Sequence, residues 1–183
     1  LVAGGGSTTL LGGAGNDTLS TANPFVGGNT FTGGTGNDTI SGSYYVDTYV
    51  FNLGDGADRI FDSNGNISGN GSVDVLRFGA GIAPTDITAV RSGVDLVLRH
   101  ANGTDQVTVA NWFSGARYHQ LEQVVFNDGT VWTNLQLDRA LEVFGTEPGG
   151  NRRTAWTATP CARNTAARRT AMSSAVSASV RGD

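Results

Sequence analysis

A nine-residue phrase that occurs twice constrains the fold of this chain more than any other feature. GGAGNDTLS at residues 12–20 returns as GGTGNDTIS at residues 33–41. Both copies place glycine at positions one, two and four, aspartate at position six and an aliphatic residue at position eight. The same frame, kept more loosely, fits residues 3–11, 24–32, 42–50, 53–61 and 69–77. The first part of the chain is therefore predicted to consist of seven short repeats.

Each repeat predicts a turn followed by a very short strand. Because the glycines permit positive φ, the first six residues are predicted to form a turn. The last three residues are typical of a strand with one inward side chain at position eight, which is Leu10, Leu19, Phe31, Ile40, Tyr49, Ile60 or Leu76. One buried side chain cannot offset the entropy of ordering a whole repeat. The repeats therefore need a further source of stability.

The residues at position six supply a candidate for that source. If each repeat is a half-turn of a flattened coil, every second repeat lies on the same edge. Asp17, Asp38 and Asp58 then stack on one edge, and Asn29, Asp47 and Asp74 on the other. Carboxylates one strand spacing apart repel each other by roughly 1 kcal/mol or more unless a cation lies between them. Calcium fits, because it binds carboxylate and carbonyl oxygens in flexible geometry.

The repeated Asn-Asp pairs have a simpler explanation without calcium: Asn-Asp is a good turn former, and turns recur in any β protein. That explanation does not account for the glycine frame and the aliphatic position eight together. The pattern G-G-x-G-x-D-x-U-x instead resembles the calcium-binding nonapeptide of RTX, or haemolysin-type, proteins. The resemblance implies a parallel β-roll in which each calcium ion lies between loops n and n+2. Two Asp carboxylates and backbone carbonyls of the loops would bind it.

Carried over to this chain, the resemblance implies two well-formed sites. The first would use the carboxylates of Asp17 and Asp38 with the carbonyls of Gly12, Ala14, Gly34 and Gly36. The second would use the carboxylates of Asp38 and Asp58 with the carbonyls of Gly33, Thr35, Gly54 and Gly56. A site of Asp47 and Asp74 is a weaker prediction, because Tyr45 replaces the fourth glycine of its repeat and Asn29 replaces the preceding aspartate.

From Asp86 onward, the nine-residue period gives way to alternating apolar and polar residues. DITAVRS, GVDLVLRH, DQVTVANWF and LEQVVFNDGTVW predict an antiparallel meander joined by glycine-containing turns. Roughly residues 49–133 resemble the haemolysin-type calcium-binding-related domain, which implies a cap on the roll. Thr133 and Asn134 are predicted to cap a short helix. Trp112, Phe113 and Trp132 are predicted to pack against the end of the roll; an aromatic carbohydrate-binding surface that includes Tyr118 is the alternative.

Charge and composition exclude several classes of function. Residues 1–146 hold fourteen acidic residues and six arginines, which argues against nucleic acid as a partner and fits a cationic ligand. The chain has no lysine, so it lacks a phosphate-binding P-loop. His100, His119 and the single cysteine, Cys161, do not make a convincing zinc site. DSNGN at Asp62 imitates the start of an EF-hand, but Ile67 stands where that loop needs glycine. No apolar run is long enough to span a membrane.

The sequence therefore predicts an all-β protein, a parallel β-roll of nonapeptide repeats capped by a small antiparallel β meander. Residues 1–82 are predicted to form the calcium-binding roll, residues 83–143 the cap, and residues 144–183 a basic, low-complexity and disordered tail. The family resemblance implies an extracellular or cell-surface protein, exported by type I secretion, that folds when it binds Ca²⁺. We expect no catalysis in this chain itself. The alternatives are an accessory module of a secreted epimerase, lipase or protease, or part of an adhesin or cytolysin, joined to other domains of a larger chain.

Overall fold

The computed structural model describes residues 1–4, 6–25, 27–62, 72–115, 119–142 and 155–157. These residues form two β-sheets with one α-helix, α1 (Asn134–Glu142). The strands are β1 (Val2–Ala3), β2 (Thr9–Ala14), β3 (Thr18–Thr21), β4 (Asn29–Thr35), β5 (Thr39–Ser41), β6 (Asp47–Phe51), β7 (Ala57–Phe61), β8 (Val75–Phe78), β9 (Ile87–Ser92), β10 (Asp95–His100), β11 (Gln106–Val109), β12 (Gln123–Val125), β13 (Val131–Thr133) and β14 (Ala155–Thr157). The all-β prediction is confirmed.

Successive strands of the repeat region alternate between the two sheets. One sheet contains β1, β3, β5 and β7 in that order, and the other contains β8, β6, β4 and β2. All neighbouring strands within these two groups are parallel. Two repeats therefore complete one turn of a coil, which is the predicted β-roll.

The residues at position eight form the core between the sheets. All seven are buried, with Leu19, Phe31 and Leu76 fully enclosed at 0% exposure. The register stacks them in line: Leu10 pairs with Phe31 and Phe31 with Tyr49, and in the other sheet Leu19 pairs with Ile40. The rings of Phe31 and Tyr49 stack with centroids 5.5 Å apart. The predicted inward side chain at position eight is therefore confirmed in all seven repeats.

Two repeats begin with strand rather than turn, which differs from the sequence prediction. β2 continues through residues 12–14 and β4 through residues 33–35. Gly13 pairs with Gly34 and Ala14 with Thr35, so the backbones of neighbouring loops form a parallel ladder of their own. Loops in register can form these bonds because every backbone N–H and C=O needs a partner. The first residues of the repeat at 69–77 lie outside the described residues.

The cap continues both sheets of the roll. β9, β10 and β11 form an antiparallel group, and β11 joins the roll by pairing in parallel with β7. β12 and β13 form an antiparallel hairpin, and β12 pairs in parallel with β8. The predicted antiparallel strands are present, but they are divided between the two sheets instead of forming one meander. This arrangement covers the edges that β7 and β8 would otherwise expose.

Aromatic side chains and the helix close the core at the cap. Phe78, Phe126 and Trp132 form a chain of ring contacts with centroid distances of 5.2 and 4.6 Å. Trp112 is buried at 1% exposure, and Trp132 is also buried, which confirms the packing role predicted for both. Phe113 is partly buried against the same core, and Tyr118 lies outside the described residues.

Helix α1 begins where the sequence predicted. The Gln136 N–H donates to Thr133 Oγ1 and the Thr133 N–H donates to Gln136 Oε1, which is a reciprocal N-terminal cap. Leu137 and Leu141 face the core. No helix among the described residues is long and apolar enough to cross a membrane.

The predicted disordered tail falls mostly outside the described residues. Within residues 144–183, the structure describes only the short strand β14, which pairs with β9 in antiparallel orientation. The sequence did not indicate a strand at these three residues, because no alternating pattern surrounds them.

Candidate metal centre

Asp17, Asp38 and Asp58 form a ladder on one edge of the roll, which we call the first edge. The Asp17 N–H donates to Asp38 Oδ1 at 2.7 Å, and the Asp38 N–H donates to Asp58 Oδ1 at 3.0 Å. The carboxylates of Asp38 and Asp58 are therefore each held by the backbone of the repeat two units earlier. Asp38 and Asp58 are 1% and 3% exposed, so these acidic groups are largely removed from water. The structure brings together the three residues that the sequence placed on this edge.

The first edge also contains carboxylate oxygens that have no hydrogen-bond partner. Oδ2 of Asp17 and Oδ2 of Asp38 are buried and accept no hydrogen bond. Each Oδ2 lies against the first glycine of its own repeat, so a side chain at Gly33 would overlap Asp38 Oδ2. A buried carboxylate oxygen without a donor is costly, and a cation is one way to satisfy it. The glycine at position one therefore keeps open the space beside this oxygen.

Glycines at positions two and four allow the backbone conformation of the loops. Gly13, Gly15, Gly34, Gly36, Gly54 and Gly56 all have φ between 92° and 139°. Residues with a Cβ rarely adopt this conformation. A Cβ at Gly34 or Gly36 would also collide with a backbone carbonyl of the preceding loop. The glycine frame thus serves both the turn and the close stacking of loops.

The carbonyls predicted as calcium ligands lie in these stacked loops. Thr35 C=O accepts the Gly15 N–H at 2.8 Å, Gly36 C=O accepts the Ala57 N–H at 3.2 Å, and Gly56 C=O accepts the Gln106 N–H at 2.8 Å. A carbonyl oxygen has two lone pairs, so each retains capacity for a further partner. The residues that supply the other five predicted carbonyls, Gly12, Ala14, Gly33, Gly34 and Gly54, belong to the same loops. Their assignment as ligands stays a prediction.

Two further aspartates, which sequence reasoning missed, crowd the end of the first edge. Asp55 accepts the Asn52 N–H at 2.7 Å, and Asp105, which comes from the cap, accepts the Gly54 N–H at 2.6 Å. Burial and the negative charges of Asp38, Asp55 and Asp105 together raise the pKa of Asp58 to about 7, against the hydrogen bond from the Asp38 backbone. Without a cation, this edge therefore favours a protonated Asp58 below about pH 7.

Asn29, Asp47 and Asp74 form the corresponding ladder on the opposite edge, the second edge. The Asp47 N–H donates to Asp74 Oδ1 at 2.7 Å, and the Asn29 N–H donates to Asp47 Oδ1 at 3.2 Å. The Asn29 amide also donates to Asp47 Oδ1 at 2.9 Å, so an uncharged donor stands where the first edge has a carboxylate. Glu122 of the cap continues this ladder, because its Oε2 accepts the Asp74 N–H at 2.7 Å.

Asp62 joins Asp47 and Asp74 in a buried cluster. One carboxylate oxygen of each residue lies within 4.8 Å of those of the other two. Their side chains are at most 1% exposed. Tyr49 donates its hydroxyl to Asp62 Oδ1 at 2.6 Å. Burial raises the pKa of Asp62 well above its ordinary value, and the charges of Asp74 and Asp47 add to that effect.

The sequence contained signals for two of the residues that were missed. Glu122 precedes Gln123 and Val124 as Asp74 precedes Val75 and Leu76, and these two segments pair in register. Asp62 follows Phe61, the last residue of a repeat, and so takes position one of the next turn. The insertion up to residue 74 hides this relation in the sequence.

The donor set fits calcium. The ladders offer carboxylates on both edges, backbone carbonyls nearby, and buried Oδ2 atoms of Asp17 and Asp38 without a donor. Hard oxygen ligands of this kind suit Ca²⁺, whereas zinc sites use mainly nitrogen and sulfur. The fold and these ladders together define the chain as a calcium-binding β-roll.

Two family models identify the class further. The model of the RTX calcium-binding nonapeptide repeat matches residues 2–22 and 25–44. The model of the haemolysin-type calcium binding protein related domain matches residues 95–136, which contain most of the cap. The chain therefore contains RTX calcium-binding nonapeptide repeats and a haemolysin-type calcium-binding-related domain. Its repeats are calcium-binding, and the resemblance to both families drawn from the sequence is confirmed, although the match to the related domain begins at residue 95 and not near residue 49.

The curated relatives match about half of this chain. The iron-regulated protein FrpA of Neisseria meningitidis serogroup C is 36% identical over 86 residues, 46% of this chain and 7% of that protein. The cytolysin RtxA of Kingella kingae is 30% identical over 103 residues, 51% of this chain and 10% of that protein. The chain thus spans a tenth or less of their length. Among solved structures, the extracellular lipase LipA from Serratia marcescens matches with a TM-score of 0.41 and 32% identity, over 58% of this chain and 18% of that one.

Proposed function

We propose that this chain is the calcium-dependent folding module of a secreted RTX-type protein. It remains largely unfolded where calcium is scarce and forms the β-roll where calcium is abundant. The observation that carries the proposal is the buried Oδ2 of Asp38, which has no hydrogen-bond partner and belongs to a carboxylate between those of Asp17 and Asp58. Burial of such a group is costly, and a bound cation would compensate for that cost.

The driving force is thermodynamic linkage. Each repeat buries one core side chain, so the roll gains little from hydrophobic burial in proportion to its length. An ion that binds the folded state and not the unfolded chain stabilises the fold by an amount that grows with ion concentration. Calcium at roughly millimolar concentration, as outside cells, suits modules with modest affinity. Cytosolic calcium is far lower, so the same chain would stay unfolded until export.

An extracellular location is part of the proposal. A relative named as a cytolysin fits a protein that acts outside the cell that makes it. The single cysteine cannot form an intrachain disulfide, so calcium would take the stabilising role that disulfides have in many secreted domains. The module would belong to a larger chain whose other parts carry any enzymatic, adhesive or cytolytic activity. We assign it calcium binding and folding, and no catalysis.

A calcium titration followed by far-UV circular dichroism tests the proposal. The chain in chelator should lack the β spectrum and gain it cooperatively as Ca²⁺ rises to the millimolar range. Mg²⁺ at the same concentration serves as a control, because it prefers a small octahedral site and keeps its waters. A full β spectrum in chelator, unchanged by millimolar Ca²⁺, would show the proposal to be wrong.

A further inference from the structure

We propose that Asp62, Asp47 and Asp74 form a closed calcium site on the second edge, in which Asp62 is an additional ligand that does not occupy position six of a repeat. The inference rests on the proposed function, because it assumes that the roll binds calcium, and it assigns a new residue to that role. The site differs from those predicted on the first edge in having three carboxylates and a tyrosine hydroxyl.

The geometry of the three carboxylates carries the proposal. They come from three places in the chain: Asp47 begins β6, Asp62 follows β7 and Asp74 precedes β8. An oxygen of each lies within 4.8 Å of the others, so one cation could contact all three. Calcium takes 6–8 oxygens at about 2.3–2.6 Å and accepts carboxylates in several modes.

One oxygen of Asp62 is available for such an ion. Oδ1 accepts the Tyr49 hydroxyl, whereas the buried Oδ2 has no hydrogen-bond partner. The side chain is 1% exposed, so water does not satisfy this oxygen from the surface. An unpartnered carboxylate oxygen beside two other buried carboxylates points to a cation as its partner.

Among the described residues, no basic side chain forms an ion pair with the carboxylate of Asp62 or of Asp47. His119 contacts the backbone carbonyl of Asp62 through Nδ1 at 2.9 Å, which fixes the backbone at this point. Asp47 is oriented by the Ser43 N–H, which donates to its Oδ2 at 2.6 Å. The carboxylates of Asp62 and Asp47 are thus positioned by neutral donors.

Gly42 keeps the site open. It directly follows Ser41, which pairs with Phe61 in the sheet, and its N–H donates to Phe61 C=O at 2.9 Å. A side chain at this position would collide with the Tyr49 hydroxyl and press on the carboxylate oxygens of Asp62 and Asp47. The cluster therefore has a wall that only glycine permits, as the first edge has at Gly33.

The test is the number of calcium ions bound by the full chain, measured by equilibrium dialysis and isothermal titration calorimetry. Asp62→Asn keeps the size and the acceptor for Tyr49 and removes one ligand charge. We expect this variant to bind one ion fewer than wild type, or to bind that ion at least tenfold more weakly. Asp74→Asn should lose the same ion, so the double variant should lose no more than either single one. Asp128→Asn, at an exposed turn, is the matched control and should lose none.

The outcomes separate this inference from the proposed function. If wild type binds no calcium, the proposed function itself fails. If wild type binds calcium and Asp62→Asn binds the same number of ions with the same affinity, only the site at Asp62 is refuted. If the variant does not fold, a crystal structure of wild type grown with calcium decides: an ion within about 2.6 Å of an Asp62 carboxylate oxygen supports the site. Ions confined to the first edge would overturn it.

Discussion

Replacing Asp38 by asparagine should remove more calcium-dependent stability than replacing Asp17. Asp38 lies in the middle of the first edge, where its N–H donates to Asp58 and its Oδ1 accepts the Asp17 N–H. Asparagine has the same shape and retains an oxygen acceptor, so the substitution chiefly removes a charge and a calcium ligand. If each ion lies between neighbouring aspartates, Asp38 serves both ions of this edge and Asp17 serves one.

The expected losses follow from linkage. At a calcium concentration 100 times the dissociation constant, each ion adds about 2.7 kcal/mol to the free energy of unfolding. Asp38→Asn should therefore lose about 5 kcal/mol in calcium, and Asp17→Asn about 3 kcal/mol. In chelator, the effect of Asp38→Asn on the free energy of unfolding should have the opposite sign. Two ionised carboxylates one strand spacing apart repel by about 1 kcal/mol in water and about 3 kcal/mol at an effective dielectric near 20. The substitution would relieve this repulsion with Asp17, and also with Asp58 at a pH above the Asp58 pKa of about 7.

Urea unfolding in calcium, followed by circular dichroism, measures the first effect, and the residual β signal of the largely unfolded chain in chelator measures the second. Asp38→Asn should be less stable than wild type in calcium and should retain at least as much β signal in chelator, while Asp128→Asn should match wild type in both. Equal losses for Asp17→Asn and Asp38→Asn would refute the shared-ligand geometry. A similar loss for Asp38→Asn in both conditions would mean that its hydrogen bonds, and not calcium, stabilise the loop.

Two further predictions concern protons and the core. Because burial, followed by neighbouring charge, raises the pKa of Asp58 to about 7, its contribution to the stability of the ion-free fold is present below the ordinary pKa and is lost as pH rises through 7. Calcium binds the ionised form of Asp58, so binding near pH 6 should release a proton, and the calcium affinity should increase from pH 6 to 8. Calorimetry in buffers of different ionisation enthalpy measures the number of protons released. A calcium affinity that does not change with pH would contradict the prediction. Phe31→Ala should lower the free energy of unfolding by about 3–5 kcal/mol in calcium, because Phe31 is 0% exposed. Phe25→Ala, at a ring that is 64% exposed, is its control, and a similar loss in both variants would mean that the stacked core does not stabilise the roll.

The repeat pattern predicted the roll because its constraints are local. Position eight is buried in every repeat, whether it is leucine, isoleucine, phenylalanine or tyrosine. The period of the pattern then fixes which repeats share an edge, so the stacking of Asp38 on Asp17 could be predicted without coordinates. The predicted strands of the cap are also present, because alternation and turn residues mark each of them.

The pairing of distant segments could not be predicted in the same way. β11 joins β7 across 49 residues, and β12 joins β8 across 48, as the pairs of Ile60 with Val109 and Leu76 with Val124 show. No local sequence pattern predicts the register between strands so far apart in the chain. Asp62 was missed for a related reason, because the insertion up to residue 74 hides its place at position one of the next turn.

The departures from the glycine frame coincide with departures in how the carboxylates are satisfied. In the repeats of Asp17 and Asp38, where glycine occupies positions one, two and four, Oδ2 is buried without a hydrogen-bond donor. In the repeat of Asp47, serine and tyrosine replace the second and fourth glycines, and the Ser43 N–H donates to Asp47 Oδ2. A loop that satisfies its own carboxylate has less need of an ion at that oxygen. The intact frame therefore serves the turn and the stacking of the loops, and it also leaves the Oδ2 atoms of Asp17 and Asp38 available to a cation. The core, by contrast, requires only an apolar side chain at position eight.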